Sequence, residues 1–251
     1  MKQLQLLMGM PITVEVVDPN VTEAAIENVF AYFRAVDDTF STYKENSEIS
    51  KINRGELSEE AYSEDMKTIL ALSEQTKQET RGYFDIRHNG MVDPSGIVKG
   101  WAILQATHLL KEAGFPNFYI DAGGDIQVAG HKGGHPWRIG IRNPFNRKEN
   151  VKVLSVTEKG IATSGTAIRG QHIYDPHHPH IPLQEIVSLT IIGPDVYHAD
   201  RFATAAFAMG KKGISFIEQL PGFEGYMIDA SARATFTSDF ERYVLQHDGT
   251  H

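Results

Sequence analysis

Alternation of β-branched and polar residues in PITVEVV, residues 11–17, predicts a strand that leaves through the Asp18-Pro19-Asn20 turn. Helical spacing takes over from about Glu23 to Val36, with Thr22 placed as an N-cap and Ala25, Val29, Phe33 and Val36 along one stripe. The stripe breaks at FSTYKENSEISKIN, residues 40–53. A second helix is predicted from about Glu59 to Thr80, with Ile69, Leu70 and Leu72 turned inward, ending near Arg81-Gly82 ahead of YFDIR. A third runs roughly from Trp101 to Ala113 and is stopped by Gly114 and Pro116.

Sheet then dominates. FYIDAGG feeds IQVAG, and WRIGIRNP, VKVLSVTEKGIATSG and EIVSLTIIG alternate or run apolar between turn residues, as antiparallel strands do. A helix containing Asp200, a short helix around Ile214 to Glu218 and the strands GYMIDA and RATFTS follow. Strands and helices intermix without strict βαβ order, which predicts an α+β fold of mixed or antiparallel sheets flanked by helices. With no linker or tandem repeat, residues 1–251 read as a single domain, built as one unit or as two closely packed subdomains.

Composition narrows the function. Hydrophobic residues at 41% and charged residues at 22% are those of an ordinary folded domain. A net charge of −8 argues against a broad footprint on a phosphate backbone, so nucleic acid is not expected as a partner. The absence of cysteine removes disulfides, thiolate metal sites and cysteine nucleophiles. The opening MKQLQLLMGMPITVEVV lacks a secretory apolar core, and no stretch reaches the length of a membrane span. A cytoplasmic address is the default expectation, with an exported or lipid-anchored precursor trimmed to this chain left open.

The segment YHADRFATAA, Tyr197 to Ala206, sets Asp200 and Thr204 four residues apart, so a carboxylate and a hydroxyl leave one helical face. Hard cations such as Mg2+ take oxygen ligands, commonly one or two carboxylates completed by substrate phosphates. By itself the pair is also what a helix uses to cap or salt-bridge its own surface. It has company in DPSGIVKG (93–100), DAGGD (121–125), Thr163-Ser164-Gly165 and HIYDP (172–176). Lys99 is the one cation of the first glycine segment and could neutralise a phosphate, or simply stand on the surface. Gly96 and Gly100 suit close backbone approach or turn geometry. Asp125 could reach a ribose, a metal or a backbone cap. An imidazole at His172 suits proton abstraction, with Asp175 near enough to orient a neighbouring group, or equally a structural hydrogen bond. His177, His178 and His180 lie in a Pro-rich loop and read as a solvated loop or lid rather than a metal site.

Taken in order, these motifs resemble those of the ApbE family, FAD-dependent FMN transferases that flavinylate proteins. The resemblance runs from Met8 to Asp229. It includes Met8-Gly9-Met10, Ser41-Thr42-Tyr43 with Ser47, Gly82-Tyr83-Phe84-Asp85, DPSGIVKG, DAGGD with Asp121 in place of the family's asparagine, Thr163-Ser164-Gly165, His172 to Pro176, and the helix carrying Ala199-Asp200 and Ala203-Thr204-Ala205. The resemblance implies a nucleotide site in a cleft between two halves of the fold. It implies Mg2+ held by Asp200, Thr204 and the carbonyl of Gly96. FAD, as substrate, would be contacted by Met8, Tyr43, Tyr83, Phe84, Asp85, Asp93, Lys99 and Tyr174. In this reading Asp200 and His172 are the catalytic pair, a threonine or serine of an acceptor protein is the second substrate, and AMP leaves. Two other expectations share the motifs: hydrolysis of FAD to FMN and AMP, and FAD binding without turnover.

Overall fold

The computed structural model describes residues 1–166 and 173–246. In chain order, β1 (Lys2–Leu7) and β2 (Met10–Val16) form a hairpin, followed by α1 (Glu23–Phe40), α2 (Glu48–Asn53) and α3 (Glu64–Glu79). The short pair β3 (Arg87–His88) and β4 (Met91–Val92) leads into α4 (Ser95–Glu112). Then come β5 (Phe118–Ala122), β6 (Asp125–Ala129), β7 (Trp137–Arg142), β8 (Asn150–Val156), β9 (Lys159–Gly165) and β10 (Ile186–Gly193). The helices α5 (Val196–Ala208) and α6 (Gly213–Glu218) precede β11 (Glu224–Asp229) and β12 (Ala234–Phe236).

Eight strands form one sheet in the order β1-β2-β5-β6-β9-β10-β11-β12, every neighbouring pair antiparallel, while β7 and β8 make a separate hairpin. The α+β expectation holds. Period-two alternation sorts each strand between two environments. Ile12, Val14 and Val16 of β2, with Phe118, Ile120 and Ala122 of β5, face the buried stripes of α1 and α4. On the other face Ile126 and Val128 of β6 meet Trp137, Ile139 and Leu154 of the β7–β8 hairpin. Leu189 and Ile191 of β10 cover Ala199, Ala203 and Phe207 of α5.

Local chemistry sets most of the helix starts. Thr22 caps α1 by accepting from the Ala25 N–H at 3.2 Å, and the helix continues four residues beyond Val36 to Phe40. The predicted helix from Glu59 splits: a 3-10 turn covers Glu59–Ala61, and α3 starts afresh behind Ser63, whose hydroxyl accepts from Met66 N at 3.1 Å. α2 arises inside a stretch with no predicted element, capped by Ser47. β1 went unread because its alternation turns Leu4 and Leu6 outward.

The largest departure is α4. It starts at Ser95, so Gly96, Lys99 and Gly100 lie in its first turns rather than in a loop ahead of Trp101. Each helical glycine costs about 1 kcal/mol relative to alanine. Packing against α5 outweighs that penalty, as the site below makes plain. Among the described residues no helix is long and apolar enough to cross a membrane.

Candidate functional site

The helices α4 and α5 touch along a stripe of glycine. A Cβ built on Gly100 would lie 2.7 Å from Asp200 Cβ and 2.9 Å from the Val196 carbonyl oxygen. One turn earlier, a Cβ on Gly96 would meet the Phe84 ring at 3.2 Å and the Thr204 methyl at 3.5 Å. The two contacts, 100 with 200 and 96 with 204, run in opposite directions along the helices, so the helices are antiparallel here and both use four-residue spacing. Gly100 N–H donates to Asp200 Oδ2 at 2.9 Å. In a regular helix that N–H points at the Gly96 carbonyl, so Asp200 competes for the donor that this carbonyl would otherwise engage.

A second carboxylate stands behind. Gly123 and Gly124, at φ 63° and 101°, supply the positive φ that a two-residue hairpin needs, and the tight turn places Asp125 at the end of the sheet. Lys99 Nζ lies 2.5 Å from Asp125 Oδ2 and 3.6 Å from Asp200 Oδ1, and Asp125 Oδ1 accepts from Thr163 N at 3.1 Å. Asp200 is 4% exposed and Asp125 1%. Two buried carboxylates share one ammonium. Burial pushes the Asp200 carboxyl up, to about 8; Lys99 opposes this, the charge and hydrogen bond of Asp125 add to it, and the Gly100 N–H opposes it.

This donor set fits a hard divalent cation. The helix contact brings two carboxylates to one ammonium, and beside them the cleft offers the Thr204 hydroxyl and the Gly96 carbonyl, all oxygen donors. Among the described residues no group of three or more His, Cys, Asp or Glu stands together to hold an ion. An ion here would therefore need backbone, hydroxyl or substrate oxygens as well. Rotation of α5 is fixed from α3, where buried Arg201 pairs with Glu79 and donates to Thr76 Oγ1 at 3.1 Å.

The same helices wall a cleft of about 1240 Å3, and Tyr83, Phe84, Asp85, Asp93, Gly96, Lys99, Tyr174, Asp200 and Thr204 all line it. Phe84 is wedged between the core and Gly96, with its N–H donated to Thr80 Oγ1 at 3.1 Å. Asp93 Oδ1 accepts from Ser95 N at 3.0 Å at the start of α4, and Asp85 pairs with Lys77 at 2.6 Å. The segment after residue 172 straps over this end. Tyr174 donates to the Asp85 carbonyl at 3.1 Å and packs on His88, while His177 Nε2 lies 3.0 Å from the Arg81 carbonyl oxygen with its ring against Tyr83. His178 pairs with Asp175 and His180 is exposed, so the three histidines do not converge.

Two expected contacts are not brought to the cleft. Tyr43 is 97% exposed in the turn between α1 and α2, where Lys44 is drawn back to Asp37 and Asp38 and the ring is left in solvent. Met8, at φ 52° in the β1–β2 turn, packs half-buried against the helical core. His172 lies outside the described residues.

Sequence reasoning passed over Asp121 because it departs from asparagine. Its carboxylate accepts from Tyr119 Oη at 2.9 Å and from Gly124 N at 2.8 Å, and burial pushes its pKa up. A carboxyl raised in the folded state adds stability only below its unfolded pKa, and that stability is lost as pH rises through the folded value. Asp121→Asn, which keeps an acceptor for Gly124, is therefore expected to raise the melting temperature more at pH 7 than at pH 4, by a few degrees. Thermal unfolding at the two pH values checks this, and an equal shift at both would contradict it.

Comparison with known proteins follows the same motifs. A model of the ApbE family matches residues 8–92 and 86–227. The FAD:protein FMN transferase of Vibrio cholerae is 29% identical over 166 residues, 61% of this chain and 50% of that protein. The FAD:protein FMN transferase of Escherichia coli K12 is 28% identical over 147 residues, 55% of this chain and 42% of that one. The chain thus spans about half the length of the curated relatives it matches. Among solved structures, the flavin transferase ApbE from Vibrio cholerae aligns with a TM-score of 0.85 at 22% identity, covering 97% of this chain and 98% of that one. The ApbE protein from Thermotoga maritima gives 0.86 at 21%, covering 98% and 99%. These structural likenesses bear on the fold.

Proposed function

This chain belongs to the ApbE family, and from that premise we propose that it is a Mg2+-dependent FAD:protein FMN transferase. The hydroxyl of an acceptor threonine or serine attacks the phosphorus next to FMN. A new P–O ester bond forms, the anhydride P–O bond breaks, the bridging oxygen departs with AMP, and the hydroxyl proton passes to a base. The observation that carries the reading is the α4–α5 contact, where buried carboxylates and a lysine meet in the wall of a cleft large enough for a dinucleotide.

Asp200, Thr204 and the Gly96 carbonyl would hold Mg2+, which when bound neutralises charge developing on the diphosphate. Lys99, held by Asp125, would place an ammonium beside the same phosphates. Tyr83, Phe84 and Tyr174 offer aromatic surface to the flavin nucleotide, and the strap of residues 173–181 limits water at that end. Asp85 and Asp93 complete the polar rim on the FAD side. For the base we propose His172, on its sequence context alone.

Incubation with FAD and Mg2+, with and without proteins of the host, tests the reading. FMN-sized mass added to a threonine or serine, with one AMP released per addition, supports transfer. AMP and FMN released equally whether or not protein is added would make the enzyme a hydrolase. Bound FAD with no product would make it a carrier.

A further inference from the structure

The cleft is larger than a drug-sized ligand needs. Its 1240 Å3 exceeds the roughly 300–1,000 Å3 usual for small-molecule sites, and it straddles the sheet at the Gly123–Gly124 turn. Lys99, Asp200 and Thr204 reach it from the helical face. Arg138, Arg142 and Arg147 reach it from the opposite side, on β7 and the loop that follows. All three arginines are exposed, and among the described residues none of them forms an ion pair or a side-chain hydrogen bond. Arg142 is near enough to favour the charged form of Asp121 without pairing with it. Arg138 and Arg142 share one face of β7, roughly 13 Å apart along the strand, with bare Gly140 between them. A Cβ at Gly140 would collide with the Asn150 side chain.

In a chain of net charge −8, an unpaired arginine row inside the cleft calls for an anion. FAD carries its negative charge on the diphosphate, and in the transferase reading the helical face answers that charge with the cation site together with Lys99. The rest of the dinucleotide is neutral. We propose, resting on the transferase reading, that the arginine side is where the acceptor protein docks, and that it takes an extended acceptor segment with carboxylates beside the modified hydroxyl. Guanidinium forks match carboxylates two bonds at a time, and unpaired rim charges steer partners of opposite sign. Apolar surface for such a segment is at hand: Leu4 and Met91 line the cleft and are exposed, and exposed Phe145 sits in the loop beside Arg147.

The test uses two fluorescent peptides with one threonine each, flanked by aspartates in one and by asparagines in the other, titrated into FAD-loaded protein. The aspartate peptide is expected to bind about tenfold more tightly or better, with the advantage shrinking at about 0.5 M salt. R138Q/R142Q should erase the difference while FAD affinity stays within about twofold. Equal binding of both peptides by the parent protein overturns the proposal. So does a parallel loss of FAD affinity in the variant, which would give the arginines to the dinucleotide. AMP release and flavinylation are scored separately. An aspartate peptide that binds but is never flavinylated keeps the docking surface and removes the transferase reading, whereas flavinylation without charge preference does the reverse.

Discussion

Asp200→Asn is expected to slow AMP release from FAD by about 100- to 1,000-fold, the scale on which removal of one preorganised electrostatic group acts. The substitution is chosen for what it preserves. An amide oxygen can still accept the Gly100 N–H, so the helix contact should survive while the charge is gone. Loss of rate would then be a loss of chemistry rather than of fold. A second readout separates metal binding from catalysis. Asp200 has a raised pKa in the folded protein, so its contribution to stability is present below the unfolded carboxylate pKa and is lost as pH rises through the folded value. Without a cation, the parent protein should therefore lose stability between about pH 4 and pH 8, and the Asn variant should lose less. Mg2+ should restore the parent increasingly across that window and leave the variant unmoved. Thermal unfolding with and without Mg2+ at several pH values reads both effects. An equal Mg2+ response in the two proteins would remove Asp200 from the ligand set.

How much of this could be read from the chain follows from the range of each interaction. Asp200 and Thr204 were legible because four-residue spacing on a helix is local geometry, and the structure turns both into the cleft. Strands such as β2, β5 and β7 were legible because burial on alternate sides leaves a period of two. The start of α4 was not. Gly96 and Gly100 argue against a helix locally, and what overrides them is the approach of a helix 100 residues further on. Asp125 was noticed but left among a ribose, a metal and a backbone cap, since its pairing depends on Lys99, 26 residues earlier and on another element. Tyr43 and Met8 mark a further limit. A motif names a residue type at a position, yet the direction of its side chain is decided by the loop, and in both cases the loop turns it elsewhere.

Gly100→Ala puts the α4–α5 contact itself to the test and is expected to cost both stability and rate. Alanine would gain about 1 kcal/mol of helix propensity. Against that, the new methyl meets Asp200 Cβ at 2.7 Å and the Val196 carbonyl oxygen at 2.9 Å, a backbone atom and the stem of a side chain, neither of which can swing aside. Overpacking of this kind costs about 1–3 kcal/mol and occasionally more, so steric cost wins by up to about 2 kcal/mol. For a protein of this size that lowers the melting temperature by up to about 8 °C. Relief comes by parting the helices, which carries Asp200 away from Gly96 and Lys99, so AMP release should fall by about 100-fold even in the folded fraction. Gly96→Ala is the internal comparison. Its nearest neighbours are the Phe84 ring at 3.2 Å and the Thr204 methyl at 3.5 Å. The ring needs to give by only a few tenths of an ångström, and propensity offsets much of the strain. The order of damage should therefore be Gly100→Ala well beyond Gly96→Ala in both melting temperature and rate. Equal behaviour of the two variants, or a Gly100→Ala protein as stable and active as the parent, would mean that the helices do not meet as closely as the whole arrangement of the site requires.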